Sequence, residues 1–204
     1  VEIAISTRPD CIREDYLDVL DEIRGRTGIQ ITIELGLQTV NYRTLEYISR
    51  GHGLAEFIDA VLRISRYSFE ICTHVILNLP SDETIDAIET AKILSALPIQ
   101  IVKVHSLYIA KNTQLCEAYE NDTITLCSKE EYLQRLMLFL EYLKPDIAVE
   151  RLFSRIPEKD AVFCNWNTSW WKLRDKLFLM METADSYQGK RFHYLDGAAL
   201  KLLE

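Results

Sequence analysis

The stretch "IQITIELGL" (29–37) decides the fold class. It is β-branched and apolar over most of its length, so it reads as a strand, and the glycine near its end allows close backbone approach. Three more segments share that texture: "VEIAIST" (1–7), "FEICTHVILNL" (69–79) and "IQIVKVHSLYI" (99–109), with a shorter fifth at "DIAVERLF" (146–153). Helical periodicity fills the gaps. Ile12, Tyr16, Val19, Leu20 and Ile23 keep it over 12–24, and Gly25 and Gly28 end it; a short helix over 42–50 stops at Gly51. Leu54, Phe57, Ile58, Val61 and Leu62 mark a longer helix to Tyr67. Ser81 is placed to cap the next one, which Pro98 stops. A polar loop is expected over 111–128, a helix over 129–143, and a last helix opening at "NWNTSWWKL" (165–173) and running to Met181.

Near-continuous apolar strands alternating with amphipathic helices mean a parallel sheet of βαβ units. Five strands fall short of a closed eight-stranded barrel. The expected fold is α/β: a partial TIM-type barrel, an open parallel arc of about five strands with outer helices, over 1–160. A helical extension packed on the barrel is expected over 161–204.

Composition excludes some classes. The 204 residues carry a formal charge of −8, which argues against a broad nucleic-acid surface. Arg63 with Arg66, and Lys172, Arg174 and Lys176, are local basic candidates that solvated helix faces explain as well. No run approaches the ~20 apolar residues of a membrane span, so the cytoplasm is expected. The five cysteines (Cys11, Cys72, Cys116, Cys127, Cys164) are widely spaced with no CxxC pair, and read as small buried thiols in a reducing compartment.

Polar residues gather at the C-terminal ends of the strands: Ser6, Thr7 and Arg8; Glu34 to Thr39; His74 and Asn78; Lys103 and His105; Glu150 and Arg151. Catalytic groups of α/β folds sit at that edge. Singly, each motif has a plain reading: Pro9-Asp10 turns the chain, and Arg50 neutralises a helix C-terminus. In their order, "ISTRPDC", "IELGLQT", "RGH" and "HVILNLP" resemble the radical S-adenosylmethionine (SAM) superfamily. Within it they are similar to the branch around the catalytic subunit of Elongator and its small bacterial members. "VKVHSLYIAKNTQL" (102–115) resembles that branch's lysine-bearing strand and turn, with Asn78 and Asn112 standing where glycines are usual.

The resemblance implies an enzyme in which a [4Fe–4S] cluster, held by three cysteines spaced CxxxCxxC, chelates SAM. Reductive cleavage then yields a 5′-deoxyadenosyl radical that takes hydrogen from substrate. It implies cofactor-binding roles for Ser6, Thr7, Gln38, Arg50 and His74 and for the backbone of Ile76 and Leu77. Gln38 would reach the ribose and Arg50 the methionine carboxylate. Glu34, Lys103, His105 and Tyr108 are substrate-facing candidates, with Glu34 and Lys103 alternatively a structural pair. The substrate is unknown, with tRNA the candidate, and an electron donor is implied.

No cysteine trio with cluster spacing occurs here, so no metal ligand set is expected in this chain. "VEIAIST" resembles the superfamily's third barrel strand. The expectation is therefore a C-terminal piece with roughly 60 or more residues missing upstream, inactive alone and prone to self-association through its cut sheet edge. Two other readings stand beside this one. One is a non-catalytic ligand-binding or scaffold module. The other is an unrelated α/β-barrel enzyme using Lys103 as a Schiff base or His74 and His105 as metal ligands.

Overall fold

The computed structural model describes residues 1–154, 156 and 158–198. Strands β1 (Glu2–Thr7), β2 (Gln30–Gln38), β3 (Glu70–Ile76), β4 (Ile101–His105) and β6 (Ala148–Arg151) form one sheet in that order, with every neighbouring pair parallel. Helices α1 (Glu14–Thr27), α2 (Tyr42–Tyr47), α3 (Leu54–Ile64), α4 (Thr84–Ala96) and α6 (Lys129–Tyr142) lie in the crossovers. This is the five-stranded parallel arc expected from the alternating pattern. The core sits between the sheet and the outer helices. Phe57 of α3, Leu94 of α4 and Tyr132 and Phe139 of α6 are buried there with Ile33, Leu35 and Ile71 of the sheet.

Several elements depart from the sequence pattern. The run 99–109 does not continue as one strand. It breaks after His105, and Tyr108–Ala110 turns away as β5 to pair antiparallel with β7 (Ala161–Cys164). The break is held by Asn78, whose Oδ1 accepts from the Leu107 N–H at 2.6 Å. The fifth strand is shorter than "DIAVERLF", and the expected polar loop contains α5 (Gln114–Glu120), capped by the Thr113 hydroxyl, which accepts from Cys116 N–H at 3.1 Å.

Ser81 does not cap α4. It takes a left-handed turn (φ 73°), and Glu83 stands at the helix start, its N–H bonded to the Asp86 carboxylate at 2.8 Å. Gly25 lies inside α1, and only Gly28 (φ 70°) closes it.

The last helix, α7 (Trp170–Thr183), begins after "NWN", not within it. Asn165, Trp166 and Asn167 form a left-handed turn with φ of 50°, 51° and 51°, a conformation that costs about 1–2 kcal/mol per residue. Tertiary bonds hold it. Trp166 Nε1 donates to Cys127 O at 2.9 Å and its ring packs on Tyr132 and Phe163, while Asn165 Nδ2 donates to Ser154 O at 2.8 Å. The segment from 161 therefore opens with a strand on β5, and α7 sends Leu173 and Leu177 into the main core.

The face of α1 also differs. Leu17 is its buried residue, whereas Tyr16, Val19 and Ile23 are exposed. The helical period is right, but what is buried depends on what stands opposite.

Candidate functional site

The C-terminal rim of the sheet is built from two adjoining parts. The first is an ion-paired cluster on the strands. Glu34 of β2, only 7% exposed, accepts from the Ser6 hydroxyl at 2.6 Å and from the Lys103 ammonium of β4, and its Oε2 lies 3.1 Å from His74 Nε2 of β3. Lys103 also pairs with Glu150 at 2.9 Å. The parallel register brings these groups together: Ser6 pairs with Glu34 and His74 with Lys103, at neighbouring positions of one sheet face. Burial alone would push the Glu34 pKa up, but hydrogen bonds from Lys103 and Ser6 outweigh it and hold it at about 2. Burial likewise opposes the Lys103 charge, and its bonds to Glu34 and Glu150 raise its pKa in spite of it. His105 continues the chain, its Nε2 3.1 Å from His74 Nδ1. Burial, with the charges of neighbouring cations, lowers the pKa of His105 to about 4.

The second part lies around Gly36. The β2–β3 ladder shifts register between Gly36 and Gln38, and Gln38 takes a left-handed conformation (φ 73°) that turns its side chain over the glycine. Asn41 starts α2 by accepting from the N–H groups of Arg43 and Thr44 at 3.1 and 3.4 Å. The helix ends abruptly at left-handed Ser49 and Gly51, which throws Arg50 back onto β2. Arg50 Nη2 donates to Gly36 O at 3.1 Å. A Cβ on Gly36 would stand 2.3 Å from Arg50 Nη2 and 2.5 Å from Gln38 Nε2, so only glycine leaves room for both.

Arg50 carries a half-buried charge with no carboxylate partner among the described residues, and its Nε is orphaned. Burial, with the nearby Arg8 guanidinium, lowers its pKa. A desolvated guanidinium without an acid is a vacancy for an anionic group, and a carboxylate fits its planar fork. The residues present therefore fit the methionine end of SAM.

A cavity of about 420 Å³ joins the two parts, with Gln38, His74, Ile76, His105 and Tyr108 among its walls. Sequence reasoning placed all five at the site. Ser6, Thr7, Glu34, Arg50, Leu77 and Lys103 are not wall residues. The Ser6 hydroxyl is committed to Glu34, the Leu77 carbonyl accepts from buried Arg135 at 3.3 Å, and the Thr7 hydroxyl donates to the neighbouring carbonyl of Arg8. Six wall residues were missed, among them the buried serines Ser106 and Ser154. Ser154 N–H donates to Ser106 Oγ at 2.9 Å, and that hydroxyl donates to Asn165 at 2.5 Å. Three short polar residues far apart in sequence carry no signal of such a cluster.

Three ligand sets can be tested on the geometry. Glu34, Cys72 and His74 offer donor atoms within 4.8 Å of one another, but the Lys103 ammonium already supplies the cation beside Glu34. His74 and His105 turn nitrogens toward each other and not to a common point, and Lys103 is held charged, which removes the support for the metal-ligand and Schiff-base reading. Among the described residues no three cysteines converge: Cys72 and Cys116 are buried as expected, Cys11 is exposed against that expectation because it stands in the turn before α1, and they lie on separate elements. These thiols do not fit a [4Fe–4S] cluster.

Comparison with known proteins agrees with this architecture. The radical SAM superfamily model matches residues 1–94, and the radical SAM C-terminal domain model matches residues 99–182. Uncharacterized protein MJ0486 of Methanocaldococcus jannaschii is 34% identical over 94% of this chain, which spans 60% of that relative's length. A tRNA uridine(34) acetyltransferase of the same organism is 23% identical over 77% of this chain and 29% of its own. Among solved structures, the archaeal Elp3 of Methanocaldococcus infernus has the same fold, with a TM-score of 0.74 at 20% identity over 92% of this chain and 43% of that one. With two adjacent models covering most of its length and the arc, rim and Gly36 cradle in place, the chain belongs to the radical SAM superfamily.

Proposed function

We propose that this chain supplies the SAM-orienting half of a radical SAM active site. The observation that carries it is the convergence of Arg50 and Gln38 over the bare Cα of Gly36. Arg50 takes the methionine carboxylate, and the Gln38 amide, donor and acceptor at once, reaches the ribose hydroxyls. His74 and Ile76 border the adenosine side of the cavity. SAM, when bound beside a reduced iron–sulfur cluster, supplies hydrogen-abstraction chemistry. The chain's part is to hold it in one orientation and to keep Glu34 and Lys103 paired beside it.

The thiols of this chain do not meet, so the cluster is held elsewhere, and the chain alone does not cleave SAM. A tRNA base is the proposed substrate, supported by the Elongator-like motifs and by the name of the acetyltransferase relative. The net charge of −8 limits that contact to a local patch.

Equilibrium binding of SAM to the chain tests the cradle. Arg50→Ala is expected to weaken it about tenfold or more, and Gly36→Ala comparably, because the added methyl displaces both side-chain tips while leaving the fold intact. Binding unchanged in both variants refutes the cradle. Anaerobic reconstitution with iron and sulfide tests the rest: a cluster-type absorption band on this chain would contradict the assignment of the cluster to other residues.

A further inference from the structure

The two imidazoles between Glu34 and the cavity form a chain with a direction. An ionised carboxylate only accepts hydrogen bonds, so the 3.1 Å contact between Glu34 Oε2 and His74 Nε2 puts the proton on that nitrogen. A neutral imidazole has one N–H, and His74 Nδ1 is then a bare acceptor. His105 Nε2, 3.1 Å from it, must bring the proton to that bond. His105 is left with an unprotonated Nδ1 that has no partner among the described residues, on a ring that lines the cavity with Gln38, Ile76, Leu107 and Tyr108.

The surroundings keep this chain neutral. Burial disfavours the charged form of both rings, and Lys103 from β4 and Arg151 from β6 oppose a further positive charge, against the pull of Glu34 from β2. Glu150 is taken up by Lys103.

We infer that Glu34, acting through His74, fixes His105 as its Nε2–H tautomer, so that the Nδ1 lone pair reads a hydrogen-bond donor on whatever occupies the cavity. His105 is then a specificity-determining residue, and His74 and Glu34 are positioning residues. The group selected is an N–H or O–H donor: an exocyclic amine, an imide N–H or a hydroxyl. A carbonyl or ether edge would face lone pair against lone pair and is rejected. That the occupant read by His105 is the enzyme's substrate rests on the function proposed above; the tautomers do not.

Two-bond ¹H–¹⁵N spectra of the ¹⁵N-histidine-labelled chain at pH 7, without cluster or SAM, are the test. Both His74 and His105 are expected as Nε2–H tautomers, each with a bare Nδ1. His105 protonated at Nδ1, or as imidazolium, overturns the inference. His74→Phe keeps the ring packing and removes the acceptor, and is expected to release His105 into a mixture of tautomers. A single unchanged tautomer would show that His74 does not position it. If that variant does not fold, the wild-type spectrum still decides. The donor preference is read with acetamide and N,N-dimethylacetamide as probes. Acetamide is expected to shift His105 Nδ1 and its dimethyl derivative to leave it in place. Equal shifts, or none with acetamide, refute the preference.

Discussion

Strands β1 and β2 lie side by side in register, both apolar and β-branched in texture, yet they live in different solvents. Ile33 of β2 is 1% exposed, whereas Ile3 of β1 is 43% exposed. Strand β2 has a strand on each side and α3 packed nearby; β1 is an edge, and the α1 beside it leaves Tyr16, Val19 and Ile23 in the open. Composition makes a strand, but its neighbours decide whether it is interior. The chemistry follows the same division. Glu34, Gln38 and His74 sit on the flanked strands β2 and β3, where dehydration makes each charge demand a partner and gives each hydrogen bond a fixed direction.

Substitutions can break this contrast. Leu35→Ala in β2, fully buried, is expected to cost about 4 kcal/mol through the cavity it leaves, measured by urea unfolding. Lys103→Met is expected to cost about 3 kcal/mol, because it strands the dehydrated Glu34 carboxylate without its cation; if stability is unchanged, the cluster is hydrated and the contrast with the edge is false.

The pH dependence is smaller and has a definite sign. His105 has its pKa lowered to about 4 in the folded chain. The unfolded imidazole takes up a proton below its ordinary pKa and the folded one does not, so stability falls as pH drops from ~6.5 toward 4. His105→Gln is expected to flatten that part of the curve in unfolding midpoints measured across the range. A slope that persists in full assigns it to other groups. Smallest is Ile3→Ala in β1, expected within about 0.5 kcal/mol of the parent because its side chain already meets water. A cost approaching that of Leu35→Ala would mean that the edge is covered in solution.

Much of the site was legible because it lies on regular strands. Parallel pairing aligns strand ends, so Ser6, Glu34, His74 and Lys103 could be placed at one rim from the strand pattern, while their common face follows from the register. Gln38 and Arg50 were legible through the motif, but their meeting point depends on a bulge at Gly36–Gln38 and on two left-handed residues, Ser49 and Gly51, that end α2. Asn112, standing at a glycine position, is left-handed (φ 59°), as asparagine tolerates. The break after His105, helix α5 and the β5–β7 ribbon were not legible. In the break and the ribbon, local propensity was overruled by a distant partner, Asn78 for Leu107 and Phe163 for Ile109, whereas α5 starts on a local cap at Thr113.

From the amino-acid order alone came the class of fold, the order of the main strands and the rim on which polar groups collect, because these depend on periodicities of two and 3.6 that any chain with this pattern must obey. Only the three-dimensional packing decided which apolar faces are dry, which charges pair, and that Glu34, His74 and His105 form a hydrogen-bonded line ending at a cavity. Dehydration and hydrogen-bond direction are properties of neighbours brought together across 31 and 40 residues, and no local pattern encodes them.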